Sequence, residues 1–342
     1  MNDRQSFREA PPNYRVDACA KRLPLLEPRT SFISYETDTF YLMTDVNSSY
    51  CSIHQYLEQG QGRPAVVANG NTVNAGSCLA VSLEAKAKGV RRGQSLMAAR
   101  AIAPDLTIYE SCLPLYEIYS ELFDDLLHRA IVTPEDCYRA SCDEVLVTLR
   151  RGRYAFWKSF SHVIRTCLDF LEGELHRRVH VHIEREQEEA ILKLEPFLQG
   201  IFATAYLIRE VMWQILGLPL SIGIGPSIFL AKTLVDEAKP YLEEGEKRYR
   251  TPHRAICFPL SLTEAQAYLR KRRLGELCGI KELARKLERS SIYTVADVQD
   301  HCDPERLQRL TGNPFSARML WSLAHGRDDV LPGYLKAVRD RD

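Results

Sequence analysis

Residues 138–149 read Tyr-Arg-Ala-Ser-Cys-Asp-Glu-Val-Leu-Val-Thr-Leu, an apolar run that contains two adjacent carboxylates, Asp143 and Glu144. The apolar residues predict a buried strand, and buried carboxylates are costly unless they are paired with cations or bind a metal. A second run, residues 40–45, is also apolar and ends on an acid, Asp45. Two strands of this kind predict a site for hard divalent cations. For either run alone, turn residues at a strand end would explain the acids equally well.

The composition limits the class of protein. The chain has 342 residues, enough for two or three domains, and 45 Lys plus Arg balance 45 Asp plus Glu, so any basic surface must be local. Its 10 cysteines form no Cys-x-x-Cys pair, which argues against a zinc module or a disulfide framework. Because the sequence contains no membrane-length apolar run and no signal-peptide pattern, we expect a soluble protein without a membrane partner. It would reside in a bacterial cytoplasm or a eukaryotic nucleus.

Four segments carry chemistry, and their order along the chain is informative. They are residues 45–52 (DVNSSYCS), 84–90 (EAKAKGV), 141–144 (SCDE) and 221–240 (SIGIGPSIFLAKTLVDEAKP). Together they resemble the motifs of the Y family of DNA polymerases, the UmuC/DinB-type translesion enzymes. Each motif alone is a weak signal, whereas four in the same order over roughly residues 45–240 are a specific one.

The resemblance implies an α+β fold. It consists of a polymerase palm with a mixed or antiparallel sheet backed by helices, a small fingers domain and an all-α helix-hairpin-helix thumb. We expect an N-terminal extension, a palm in two pieces with an insertion at about 150–200, fingers, a thumb and a tail. Their bounds are 1–35, 36–47 with 112–246, 48–111, 247–328 and 329–342, respectively. The family's little finger domain, which clasps DNA, is expected to be absent.

The resemblance also assigns the catalytic carboxylates. Asp45, Asp143 and Glu144 would hold two Mg²⁺ ions, with Mn²⁺ as the alternative, and the carbonyl of Val46 would be a further metal ligand. Oxygen donors suit both ions. Adjacent strand residues point to opposite faces. Asp143 and Glu144 can therefore converge only where the strand twists, ends or bulges.

The nucleotide site follows from the same motifs. Tyr50 occupies the family's steric-gate position, where a ring beneath the sugar excludes a 2′-hydroxyl, and Ser49 replaces a family aromatic and leaves a roomier floor. Lys86 and Lys239 align with cations that meet the triphosphate, a role that suits a compact charge. Without the resemblance, Tyr50 would be interpreted as a core aromatic and Lys86 as part of a solvated helix face.

A hairpin-like stretch lies near the C-terminal end of the chain. Gly279, Ile280, Lys281 and Arg285 resemble the DNA-binding part of a helix-hairpin-helix, whose backbone amides contact duplex phosphates. Residues 270–289 contain eight basic and three acidic residues, which favours contact with a DNA backbone. An arginine-rich surface helix is the alternative interpretation.

These features predict a template-directed, low-fidelity DNA polymerase for translesion synthesis and DNA repair. Its substrates would be primer-template DNA and dNTPs, and a sliding clamp or another repair protein would be a further partner. One alternative is a non-catalytic, polymerase-like DNA-binding scaffold in the DNA damage response. Another is a DNA-binding repair module that works through its hairpin, which leaves the carboxylates unexplained.

Overall fold

The structure, a computed structural model, describes most of the chain. It covers residues 38–69, 76–183, 185–240, 256–257, 262–277 and 279–330. The expected N-terminal extension at 1–35 and most of the expected tail at 329–342 lie outside the described residues.

The central sheet has five strands. They are β1 (Thr39–Val46), β5 (Cys137–Arg139), β6 (Glu144–Arg150), β7 (Leu220–Gly225) and β8 (Ile256–Cys257). Their order in the sheet is β5-β6-β1-β7-β8, and only the last pair is parallel. The apolar run at 138–149 is therefore not one strand as the sequence indicated, since residues 140–143 form a loop between β5 and β6.

A second, smaller sheet follows β1 in the chain. It contains β2 (Ala65–Asn69), β3 (Ser77–Val81) and β4 (Thr107–Glu110), in the order β3-β2-β4. The helices of this region are α1 (Ser49–Leu57), α2 (Leu83–Ala87) and α3 (Leu96–Ile102). Apolar side chains of this sheet and of α2 and α3 form a core of their own.

Helices cover both faces of the central sheet. One set contains α4 (Leu113–Ala130), α5 (Phe160–Leu175), α6 (Arg185–Ile191) and α7 (Pro196–Leu216). The other contains α8 (Ile228–Ala238), α9 (Leu262–Arg270), α10 (Lys281–Glu288), α11 (Val295–His301), α12 (Pro304–Thr311) and α13 (Pro314–Ala324). The alternation of β1 separates the two cores: Leu42 joins the first set and Met43 joins the second. Strands with helices, followed by a run of helices, confirm the predicted α+β class.

The insertion expected at about 150–200 contains α5, α6 and the beginning of α7. Helix α7 is apolar on nearly all sides, and 17 of its residues are buried. Such a helix is typical of a protein interior. Among the helices that the structure describes, none has both the length and the apolarity needed to cross a membrane.

Helix α8 lies against β7 at very short range. A Cβ at Gly223 would stand 2.1 Å from the carbonyl oxygen of Ala231 and 2.5 Å from the amide nitrogen of Val235, so only glycine permits this approach. At the beginning of α8, the carboxylate of Asp328 accepts hydrogen bonds from the amides of Ile228 at 2.5 Å and Phe229 at 3.2 Å. The segment beyond α13 thus caps α8 and holds it to the helical bundle α9–α13.

Candidate active site

The loop between β5 and β6 determines where the adjacent acids point. The amides of Ala140 and Ser141 both donate to the carbonyl oxygen of Glu144, at 2.9 and 3.2 Å, and close a tight hairpin. Asp143 is the last residue of the loop and Glu144 is the first residue of β6. The strand therefore begins between the two acids, and the alternation of a strand does not force their side chains apart.

The third acid lies directly across from this loop. Asp45 of β1 is the register partner of Glu144 in β6, and the amide of Val46 donates to the carbonyl oxygen of Asp143 at 2.9 Å. Cross-strand partners have neighbouring side chains. The side chains of Asp45 and Glu144 are therefore neighbours at one end of the central sheet, and the backbone of Asp143 lies beside them.

Two lysines of the fourth motif contact these acids. The Nζ atom of Lys232 lies 2.5 Å from Oε1 of Glu144 and 3.9 Å from Oδ2 of Asp45. Lys239 places its Nζ 3.0 Å from Oδ2 of Asp45 and 3.0 Å from Oδ1 of Asp236. Lys239 is a residue that the sequence motifs predicted for the site, whereas Lys232 was not predicted. The only signal for Lys232 was its place in the fourth motif, about two turns before Lys239.

Burial dominates the protonation chemistry of Asp45. Desolvation raises the pKa of its carboxyl to about 6, against the lowering effects of Lys239 and Lys232, and nearby Glu144 raises it further. Burial alone would lower the pKa of Lys239. Its neighbours Asp45 and Asp236 outweigh that effect, so the pKa of Lys239 lies above its usual value. Asp45 thus needs a neighbouring cation to remain ionised.

Asp143 is held differently from the other two acids. Its Oδ1 accepts a hydrogen bond from Ser141 at 2.6 Å, and its Oδ2 accepts one from Ser49 at 3.4 Å. Within the described residues, no group of three or more His, Cys, Asp and Glu side chains is arranged to hold a metal ion. The donor chemistry nevertheless suits a divalent cation, because Asp45 and Glu144 are cross-strand neighbours that already contact positive charges, and Asp143 adds a third carboxylate next to Glu144 in the chain.

Tyr50 is fixed by contacts on two sides. Its ring stacks on that of Tyr116, with centroids 3.9 Å apart and an interplanar angle of 7°, and its hydroxyl lies 3.6 Å from Sγ of Cys142. The contact with Cys142 and partial burial raise the pKa of Tyr50 to about 12. His54 contacts the hydroxyl of Tyr116 at 3.1 Å and holds the second ring in place.

A small pocket opens beside Tyr50 and Asp143. It is also lined by Ser49 and Tyr116, and its volume is about 10 Å³. That is roughly the space of one water molecule. The roomier floor expected where Ser49 replaces a larger residue stays a prediction.

Lys86 faces the site rather than solvent. Its Nζ donates to Oγ of Ser48 at 2.9 Å, just ahead of α1, and burial lowers its pKa. Its neighbour Lys88 instead pairs with the exposed Asp105 at 2.6 Å. The solvated-face interpretation therefore describes Lys88 and not Lys86.

The predicted hairpin residues surround the start of α10. Gly279 has a φ of +77°, a left-handed conformation that favours glycine, and the side chain of Ile280 is buried. Lys281 and Arg285 are exposed on α10. One residue of the basic stretch pairs within the protein: Arg270 forms two hydrogen bonds of 2.6 and 2.7 Å with Asp300.

Comparisons with known proteins agree on one class. The fold is similar to a solved Y-family DNA polymerase chimera, with a TM-score of 0.58 and 20% identity over 84% of this chain and 67% of that one. This likeness confirms the predicted arrangement of a polymerase fold, and the resemblance to UmuC/DinB-type proteins is confirmed as well. The chain belongs to the impB/mucB/samB family, whose model matches residues 44–236. That range includes Asp45, Asp143, Glu144 and Lys232.

Two relatives extend the likeness beyond the matched range. DNA polymerase IV of Saccharolobus solfataricus is 22% identical over 79% of this chain and 61% of its own length. DNA polymerase IV 1 of Bacillus subtilis is 24% identical over 78% of this chain and 50% of its own length. The chain thus spans between half and three fifths of these curated relatives.

Proposed function

We propose that the chain is a template-directed DNA polymerase of the translesion type, which transfers nucleotides from dNTPs to a primer 3′-hydroxyl with low fidelity. One observation carries this proposal. Acids from two distant motifs, Asp45 on β1 and Asp143 with Glu144 at the start of β6, lie at one sheet end, where Glu144 contacts Lys232 and Asp45 contacts Lys239. The names of the relatives support the same activity.

We propose that Asp45, Asp143 and Glu144, with the carbonyl of Val46, hold two divalent ions. Mg²⁺ is the expected ion and Mn²⁺ is the alternative. When bound, such ions would activate the primer hydroxyl and stabilise the leaving pyrophosphate. The protein's own part is to keep the acids at the sheet end and to orient them through the loop before β6.

The groups around the acids would bind the nucleotide. Lys86 and Lys239 are the cations for the triphosphate, since both face the acid site and neither is fully exposed. Tyr50, held against Tyr116, would lie beneath the sugar, with Ser49 beside it on the floor of the site. In this assignment the central sheet with α4–α8 is the palm, and the small sheet with α1–α3 is the fingers.

The bundle α9–α13 is the thumb in this assignment. The turn at Gly279 and Ile280 would present backbone amides to the duplex, and the exposed Lys281 and Arg285 would neutralise phosphates. A sliding clamp or a repair partner remains a prediction.

Primer extension tests the proposal directly. We expect the protein, given a primed template, four dNTPs and Mg²⁺ or Mn²⁺, to add the nucleotide that the template base specifies. Chelation by EDTA should abolish the product, because the carboxylates alone cannot stabilise the charge of the leaving pyrophosphate. The product is resolved on a denaturing gel, with each template base tested separately.

Two results would contradict the proposal. Products that do not follow the template would indicate a terminal transferase. No extension under any metal, together with tight binding of the primed template, would favour the non-catalytic scaffold.

Replacement of Tyr50 by alanine should relax sugar selection. Because the ring would no longer lie beneath the 2′ position, we expect kcat/KM for ribonucleotides to rise relative to dNTPs by about tenfold or more. Tyr50→Phe is the matched control, since it keeps the ring and loses only the hydroxyl contact with Cys142. Equal selectivity of the alanine variant and the wild type would remove Tyr50 from this role.

A further inference from the structure

Lys232 has an environment unlike that of an ordinary surface lysine. Its side chain is 8% exposed, and its ammonium contacts Glu144 directly and Asp45 at longer range. Both acids are proposed metal ligands. A positive charge therefore already occupies the side of the site where Asp45 and Glu144 face each other.

Helix α8 positions the ammonium of Lys232 close to the acids. Lys232 lies in the second turn of α8, whose first turn is capped by Ser227 and Asp328. The glycine at 223 lets α8 press on β7, next to the strand that carries Asp45. The ammonium is thus positioned by the backbone of a buried helix and not by a flexible surface loop.

The energetics of buried charges argue against a purely structural ion pair. A buried pair contributes little to stability compared with apolar residues of similar size, whereas a buried acid that loses its partner is strongly destabilising. The positive charge of Lys232 thus offsets the cost of burying Asp45 and Glu144, and the two acids themselves are explained by a function other than stability. Lys239 differs from it, because its side chain is 39% exposed and it divides its contacts between Asp45 and Asp236.

We propose that Lys232 is a built-in counter-ion of the carboxylate site, which a divalent ion must displace from Glu144 in order to bind. Lys232 then sets the metal affinity of the protein before DNA and nucleotide arrive, and it opposes metal binding in the free protein. This inference rests on the proposed function, since it takes the acids to be metal ligands.

Metal affinity measured without DNA or nucleotide tests this role. We would titrate the DNA-free protein with Mn²⁺ and follow free Mn²⁺ by electron paramagnetic resonance. Lys232→Met should bind Mn²⁺ about tenfold or more tightly than the wild type, because a repelling positive charge has been removed. Thermal unfolding supplies a second readout: Mn²⁺ should raise the melting temperature of Lys232→Met more than that of the wild type.

Three further variants make the test specific. Lys232→Arg keeps the charge and should retain the wild-type affinity, and Lys232→Gln serves if the methionine variant does not fold. Lys88→Met removes a lysine from an exposed pair with Asp105, which contacts none of the proposed metal ligands, and it should leave Mn²⁺ affinity unchanged.

The possible failures are distinguishable. Equal or weaker Mn²⁺ binding by Lys232→Met and Lys232→Gln would overturn the counter-ion role and leave the polymerase proposal intact, provided that the wild type extends primers. No Mn²⁺ binding by any of the proteins would overturn both the counter-ion role and the metal site.

Discussion

Asp143→Asn should lower the rate of nucleotide addition by about a thousandfold or more, which corresponds to several kcal/mol of lost transition-state stabilisation. The amide keeps the shape of the side chain and one oxygen, but it removes a negative charge from the proposed metal site. The rate would be measured by single-turnover primer extension at saturating dNTP and Mg²⁺.

Asp143 is the most informative of the three acids for this experiment. Glu144 contacts the buried Lys232 and Asp45 contacts Lys239, so replacing either acid would also remove an ion pair. Asp143 lies in a loop and accepts hydrogen bonds from Ser141 and Ser49. Because Asp143 is only partly buried and asparagine keeps one acceptor oxygen, its replacement should leave the melting temperature within a few degrees of the wild type.

A control variant distinguishes the loss of a metal ligand from the loss of any negative charge. Asp105→Asn removes an exposed carboxylate that pairs with Lys88 in the small-sheet region, and it should extend primers at the wild-type rate. If Asp143→Asn retained activity within tenfold of the wild type, the proposed metal site would be wrong.

Gly223→Ala should destabilise the fold by about 3 kcal/mol or more, at the upper end of what overpacking costs. The new methyl group would stand 2.1 Å from the carbonyl oxygen of Ala231 and 2.5 Å from the amide of Val235. Both atoms belong to the backbone of α8, so no side-chain rotation can relieve the contact. The helix must move away from β7, and Lys232 must move with it.

The measurement is urea unfolding followed by circular dichroism, with Gly173→Ala as the control. Gly173 lies in α5 and a Cβ there would meet nothing within 4 Å. Alanine is a better helix former than glycine, so this control should be stabilised by up to about 1 kcal/mol. Equal urea midpoints for Gly223→Ala and the wild type would contradict the close packing of α8 on β7.

The position of the acids was largely predictable from the sequence. Asp45 ends an apolar run, and an acid in that place lies at a sheet end wherever the run is a strand. The break before Glu144 was less predictable, because the apolar residues from 145 onward and those around 138 read as one continuous run. Hairpin closure by backbone hydrogen bonds to Glu144 leaves no clear mark in the side-chain pattern.

The contacts of Lys232 and Tyr116 could not be derived from local pattern. Lys232 reaches Glu144 only because α8 packs on β7, and that contact joins residues 88 positions apart in the chain. Tyr116 meets Tyr50 because α4 returns alongside α1. Helical spacing can indicate which side of a helix is buried, but it gives no information on which ring a buried aromatic residue meets.

The cap that Asp328 places on α8 has a mechanical consequence. The bundle α9–α13 and α8 share one apolar core, and the carboxylate of Asp328 is bonded to the first amides of α8. Any pull that tilts the bundle away from the sheet therefore strains the same helix that carries Lys232. A DNA duplex held by the bundle, as proposed, would therefore exert a force on the acid site through Asp328 and α8, without contacting the acids.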